Sequence, residues 1–398
     1  MKKFIEFIVE KILMASGAIT SLTILLIVVF LFKEGAGLFS ASTVEEGHSV
    51  VVNSRNTVQK LSADELKEIF DAQYTSWGQV GGSDQDIVVF RLGDLTQYVS
   101  EEELGDSLQF VSQCIERIVA TTPGIIAFLP DQYIISSPAM RKLDCGEITI
   151  AEFFEGTQWF PTAQPAPLFG VLPLVLGTLL VSFFAILLAL PLALAVAIYM
   201  GELASPRMRS ILKPIVELLS GIPSVVYGFF GLVVVVPLIQ QVFGLPVGET
   251  ALAGSIILAI MALPTIITVA QDAISTVPRA TKEASLALGA SHLQTITKVT
   301  LPYCVSGIMA AAVLGIGRAI GETMAVLMVT GNAAIMPTTL LEPVRTIPAT
   351  IAAELGEAPS GGAHYQALFM LGAILFVITL IISISVEIIS RRRAEQQM

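Results

Sequence analysis

Six apolar stretches, each long enough to cross a bilayer as a helix, constrain this chain more than any other feature. Spanning the hydrocarbon core takes about 20 apolar residues in a helix. Runs of that kind lie at 12–32, 168–200, 215–238, 251–270, 301–330 and 366–389. Of 398 residues, 54% are hydrophobic and 14% charged, well outside the range of a soluble domain. The pattern predicts an all-α polytopic membrane protein with six transmembrane helices. The first run is too long for a signal-peptide core and no A-x-A site follows it, so it reads as a retained anchor.

The connections set the orientation. Basic residues collect at 2–11, 207–213, 279–298 and 391–393, whereas 239–250 and 331–365 hold Arg345 alone. The positive-inside rule puts the first group in the cytoplasm together with both termini. The division expected is a cytoplasmic start and first helix at 1–33, an extracytoplasmic insertion at 34–167, a five-helix core at 168–390 and a cytoplasmic tail at 391–398. Internal prolines at Pro173 and Pro191 suit a helix that bends around a passage, or one that only packs.

Charge is unevenly shared. Residues 34–167 carry 20 acidic and 7 basic side chains, while the rest of the chain is nearly neutral. Nucleic acid is therefore excluded as a partner. The segment reads as a small α/β insertion. Ser62 with Glu65 fits a capping box, Trp77 sits in a turn closed by Gly81-Gly82, and a strand follows. A helix end, Thr122-Pro123-Gly124 and a short buried strand come later. Cys114 and Cys145 form either a bridge in an oxidising compartment or two free thiols. The histidines, His48, His292 and His364, are scattered. No metal site is expected.

Two features carry chemistry. Arg318 and Glu322 are four residues apart in an apolar run, hence on one face of an expected helix. Along a straight helix Arg318 lies about 24 Å from Pro302, inside the membrane, where charge is costly. They form a structural ion pair, or they line a passage in which the arginine fork meets an anionic solute. The second feature is the polar loop 276–301. Glu283-Ala284, four residues, Gly289, nine residues and Val299-Thr300-Leu301-Pro302 form its core.

That loop resembles the signature of ABC importer permeases, with Ser285 where alanine is usual and Val299 for isoleucine. The resemblance implies the type I importer permease fold and a coupling segment in which Glu283, Ala284 and Gly289 dock on a separate ATPase. Phe169-Gly170-Val171-Leu172-Pro173, the stretch 217–232 and Gly317-Arg318-Ala319-Ile320-Gly321-Glu322-Thr323 narrow it. They are similar to the phosphate-specific transport (Pst) permeases, more to the PstC type than to PstA. The match is close over 151–398 and loose over 1–33.

The family implies inorganic phosphate as solute, Arg318 and Glu322 tied to its passage, and four kinds of partner. These are a PstA-like permease, two PstB-like ATPases, a PstS-like binding protein and the lipid bilayer. The chain has no G-x-x-x-x-G-K-[ST], so ATP and Mg²⁺ belong to the ATPase, and no cofactor or catalytic residue is expected here. The insertion exceeds the segment usual in this family, and parts of it resemble phosphate-binding proteins. It reads as a docking domain, a phosphate site or a spacer. A molybdate or sulfate permease and a transporter-linked phosphate sensor are the alternatives. No cytoplasmic output domain supports the sensor.

Overall fold

The structure, a computed structural model, describes residues 2–45, 47–104 and 109–395; the end of the expected tail, 396–398, lies outside them. The chain forms two compact units, Met1–Val171 with Ala358–Met370, and Leu172–Glu357 with Leu371–Met398.

The first unit opens with the helix Lys2–Ala36, which contains the expected first span. Phe30 meets Phe369 edge-on at 5.4 Å, so this helix packs on the start of the last one, Ala363–Glu395. The chain between the two helices folds, within this unit, into a mixed four-stranded sheet of β1 (His48–Asn53), β2 (Val88–Arg91), β3 (Ile125–Pro130) and β4 (Met140–Lys142), ordered β2-β3-β1-β4. Only β2 and β3 run parallel; β1 is antiparallel to both its neighbours.

Successive side chains on a strand point to opposite faces, and here both faces are apolar. Val50, Val52, Ile126 and Phe128 face the helix Ala63–Phe70 and Trp77. Val51, Ile125, Ala127 and Leu129 face the helix Val111–Thr121. The insertion is thus a three-layer α/β sandwich. Ser62 and Glu65 close the anticipated capping box. The Thr122-Pro123-Gly124 turn serves the core: Trp77 Nε1 donates to the Gly124 carbonyl at 2.9 Å.

The two insertion cysteines are free and buried, Cys114 in one apolar layer and Cys145 in the other. Burial pushes the Cys145 thiol up to about 12.

In the second unit the helix Ala251–Ser275 is the axis, and Leu172–Ile198 lies along it. Ala185, Ala189, Ala193 and Ala197, four residues apart, are fully buried on one stripe of the second helix. Ala189, Ala193 and Ala197 share a core with Ala259, Ala262, Ile266 and Ala270, and Ala185 one with Leu258 and Met261. Small side chains let the backbones approach closely, and dispersion then replaces the hydrophobic drive that lipid cannot supply. Pro173 sits at the start of its helix, where no backbone donor is lost, so only Pro191 is internal.

Two expected spans differ from the run of apolar residues. The third was read over 215–238, but the chain breaks at Ile222-Pro223. An amphipathic helix, Pro206–Gly221, precedes a 20-residue span, Ser224–Phe243. The apolar run continues through the break because proline stops a helix without changing hydropathy. The fifth, read over 301–330, is bent by 71° between His292–Tyr303 and Val305–Gly321. Among the described residues five helices are long and apolar enough to cross a membrane, six if the bent pair is one span. The connection that follows is fastened internally. Arg345 Nη1 donates to Glu354 Oε1 at 2.7 Å, and the Ile347 N–H donates to Thr178 Oγ1 at 2.9 Å.

The separate layers exclude a Cys114–Cys145 bridge. Mass spectrometry of the non-reduced protein will show Cys114 and Cys145 as free thiols, alkylated at about pH 8 only after unfolding. Because the folded Cys145 pKa exceeds its ordinary value of 9.0, the thiol costs no stability below pH 9. Stability falls as pH climbs from 9.0 towards about 12, which a pH series of melts will show.

Candidate functional site

Arg318 lies in the last turn of Val305–Gly321. Ala311, Ala312, Gly315, Ala319 and Ile320 on this helix are buried, several of them against the axial helix. Ser306, Ala310, Leu314, Gly317 and Gly321 form an open stripe beside them. Arg318 is half-buried at the border between the two. Its Nε is sealed from solvent with no hydrogen-bond partner. The guanidinium lies within Coulombic reach of Tyr227, whose hydroxyl donates to the Leu219 carbonyl at 2.8 Å. A cation at a helix C-terminus is stabilised by the unsatisfied carbonyls there.

Glu322 is placed differently from the expectation. The helix stops at Gly321, and Glu322 takes extended backbone, φ −72° and ψ 134°. The rule that residues four apart share a face therefore fails at this pair. No ion pair joins Arg318 to Glu322 among the described residues. The carboxylate instead accepts from the Ala325 N–H at 3.4 Å, at the start of the next helix, Met324–Val329. The gain that breaks the helix is burial. Ala325, Val326 and Val329 reach 0–1% exposure in the core around Tyr227 and Ile257. Gly228 permits this, since a Cβ there would stand 3.0 Å from Ala325 Cα. The bend at Cys304 also removes the straight 302–318 distance. Arg318 lies about 20 Å along the helix from Val305.

The polar loop forms the helix Arg279–Ala287, none of whose side chains is buried. Glu283, Ala284, Ala287 and Leu288 point outward, while Lys282, Ser285 and Leu286 are half-buried. Ser285, the departure from the usual motif, shares a hydrogen bond of 3.0 Å with Thr295. Gly289 has φ +86° and turns the chain into the short helix His292–Thr295, which Ser291 and Gln294 cap. Its side-chain-free αL geometry explains the glycine without any contact to a partner.

Leu288 is 90% and Leu293 69% exposed. Reasoning from the motif passed over both; two leucines in a polar loop were the available signal. Nor did it single out Glu202, whose carboxylate pairs with Lys282. Among the described residues no group of three or more His, Cys, Asp or Glu could hold a metal ion.

Residues 193–395 match the family model described as a binding-protein-dependent transport system inner membrane component. A probable ABC transporter permease protein of Bacillus subtilis (strain 168) is 36% identical over 283 residues, 71% of this chain and 89% of that protein. A phosphate transport system permease protein PstC of Mesorhizobium japonicum is 39% identical over 249 residues, 58% of this chain and 75% of that protein. A putative phosphate ABC transporter substrate-binding protein of Clostridium perfringens, solved with bound phosphate, aligns at TM-score 0.19 and 22% identity. That alignment covers 26% of this chain and 46% of that one. So slight a likeness carries no argument about the insertion.

If Gly289 is needed for its backbone alone, Gly289→Asn will be tolerated and Gly289→Val will cost about 1–2 kcal/mol of local stability. Hydrogen exchange of the 284–295 amides reads the difference.

Proposed function

The chain belongs to the family of binding-protein-dependent transport system inner membrane components, and from that premise we propose that it conducts inorganic phosphate as a permease subunit of an ATP-driven importer. Members of the family are multi-pass inner-membrane proteins and transport subunits rather than enzymes. The permease works with an ATPase and an extracytoplasmic substrate-binding protein. In the reading offered here these are PstB-like and PstS-like, and a PstA-like permease supplies the other half of the passage.

The observation that carries the solute is Arg318 Nε, sealed and unpartnered at a helix end on the border between the apolar core and an open stripe. A guanidinium in a membrane protein costs several kcal/mol unless something compensates it. Within this chain the helix-end carbonyls do so only in part. An oxyanion completes the shell, because the planar fork of arginine donates to two oxygens at once and never loses its proton. The helix break beside it provides the irregular backbone that membrane proteins tolerate where they line a cavity. Glu322 caps the following helix in this reading, so that it holds the break open rather than pairing with Arg318. The name of the Mesorhizobium relative favours phosphate over molybdate or sulfate.

Coupling runs through the loop. Glu283, Ala284 and Leu288 form the outward face of the Arg279–Ala287 segment, and Leu293 adds a second apolar knob. A 90% exposed leucine is stable in a complex once a partner groove covers it. ATP and Mg²⁺ are used by that partner. Both termini are placed in the cytoplasm by the basic connections, and the acidic insertion then faces outward, where it serves as a docking surface for the binding protein.

The test is ATP-dependent uptake of labelled phosphate by the reconstituted complex. Arg318→Gln will reduce uptake at least about tenfold, as expected for losing one charge-assisted contact of about 1.5–3 kcal/mol, with assembly intact. Unchanged uptake would remove Arg318 from the passage. Leu288→Glu will abolish co-purification of the ATPase, and retention of the ATPase would move the docking surface elsewhere.

A further inference from the structure

We infer that Lys282 and Glu202 form a positioning pair that transmits movement of the coupling helix to the membrane helices, an inference that rests on the permease reading above. Lys282 lies on the inward side of Arg279–Ala287, and its ammonium donates to the Glu202 carboxylate. Glu202 belongs to the short turn Tyr199–Leu203 that ends the helix Leu172–Ile198. The pair therefore ties a segment with no buried side chain to the end of a long membrane helix.

Its surroundings make it a strut rather than a surface contact. The Lys282 and Glu202 side chains are 20% and 13% exposed. Breaking such a pair leaves one charge half-buried and uncompensated, unlike the breaking of an exposed pair. The turn that carries Glu202 is itself held. Arg209 Nε donates to the Met200 carbonyl at 2.7 Å and its Nη2 to the Gly201 carbonyl at 2.8 Å. On the other side, Ser285 fixes the coupling helix to Thr295, which is buried just before the bend. Cys304, the residue at the bend, lies within Coulombic reach of both Glu202 and Lys282.

Three elements thus converge on one ion pair: the coupling helix, the end of Leu172–Ile198 and the elbow that starts Val305–Gly321. The alanine stripe carries any shift of Leu172–Ile198 into the axial helix, and Arg318 sits on Val305–Gly321. Energetic coupling between distant sites needs such a contiguous set of rigid elements, and a measurement must show that it is used.

The measurement is made on the full reconstituted complex with its binding protein, reading labelled phosphate uptake and ATP hydrolysis from the same vesicles. Wild-type uptake tests the permease reading by itself and is scored first. Glu202→Gln and Lys282→Met will each lower the phosphate moved per ATP by about fivefold or more, with the ATPase still bound and hydrolysing. The double reversal, Glu202→Lys with Lys282→Glu, will restore the ratio. A ratio unchanged in the single variants overturns the inference, and so does a double reversal that fails to recover it. Should a single variant fail to assemble, Glu202→Asp keeps the charge but shortens the reach. A lowered ratio upholds the pair as a positioning device, and a normal ratio overturns it.

Discussion

A helix that ends inside a membrane leaves carbonyls without partners, and the second unit of this protein is arranged around one such end. Val305–Gly321 stops where a straight continuation would have been cheaper for the backbone. The compensation is local and specific. Met324–Val329 turns back into the core, Gly228 lets it come close, and Glu322 accepts at its start. What is left over is a helix terminus of negative partial charge with a cation on its last turn. A closed apolar bundle has no use for that arrangement. The anion passage proposed above does, since the terminus would hold the arginine in place and the arginine would hold the solute.

The same economy governs the other end of the unit. The coupling helix buries nothing, so packing does not fix its position; hydrogen bonds and one ion pair do. A segment held this way has few contacts to break when it moves, which is what a part pushed by another protein requires. The axial helices are the opposite case. Alanine against alanine leaves no room for relative sliding without loss of contact across the whole stripe, so they move as a body. Soft attachment at the edge and rigid packing within suit a lever.

Much of this was legible in the residues. The short buried apolar strand after Thr122-Pro123-Gly124 and the Ser62–Glu65 box are local signals, and local signals survive folding. The apolar runs marked the membrane segments, five among the described residues or six with the bent pair as one span, but misplaced two boundaries. Hydropathy averages over Ile222-Pro223 and over Gly321-Glu322, and in both places a backbone event leaves the apolar count unchanged. The Arg318–Glu322 relation failed for a deeper reason. Four-residue spacing is a statement about a continuous helix, and the burial of Ala325, Val326 and Val329, which lie beyond the pair, decides that the helix is not continuous. Gly289 was singled out by its motif, yet the physical reason for it, a positive φ, is a property of three-dimensional structure.

The insertion shows how little a resemblance in fragments decides. Its Thr122-Pro123-Gly124 region resembles a piece of phosphate-binding proteins, but the Gly124 carbonyl accepts from Trp77 in the core and its Cα faces the Asp86 backbone. Both sheet faces are filled by apolar side chains and covered by helices, so among the described residues the sandwich offers no polar cleft between its layers. Its net negative charge repels a free oxyanion at long range, while a basic patch on a carrier protein would be attracted. The acidity that disfavours a phosphate site is thus the property that suits a docking domain, and under the proposed permease reading the anion would need to meet a positive charge only at Arg318.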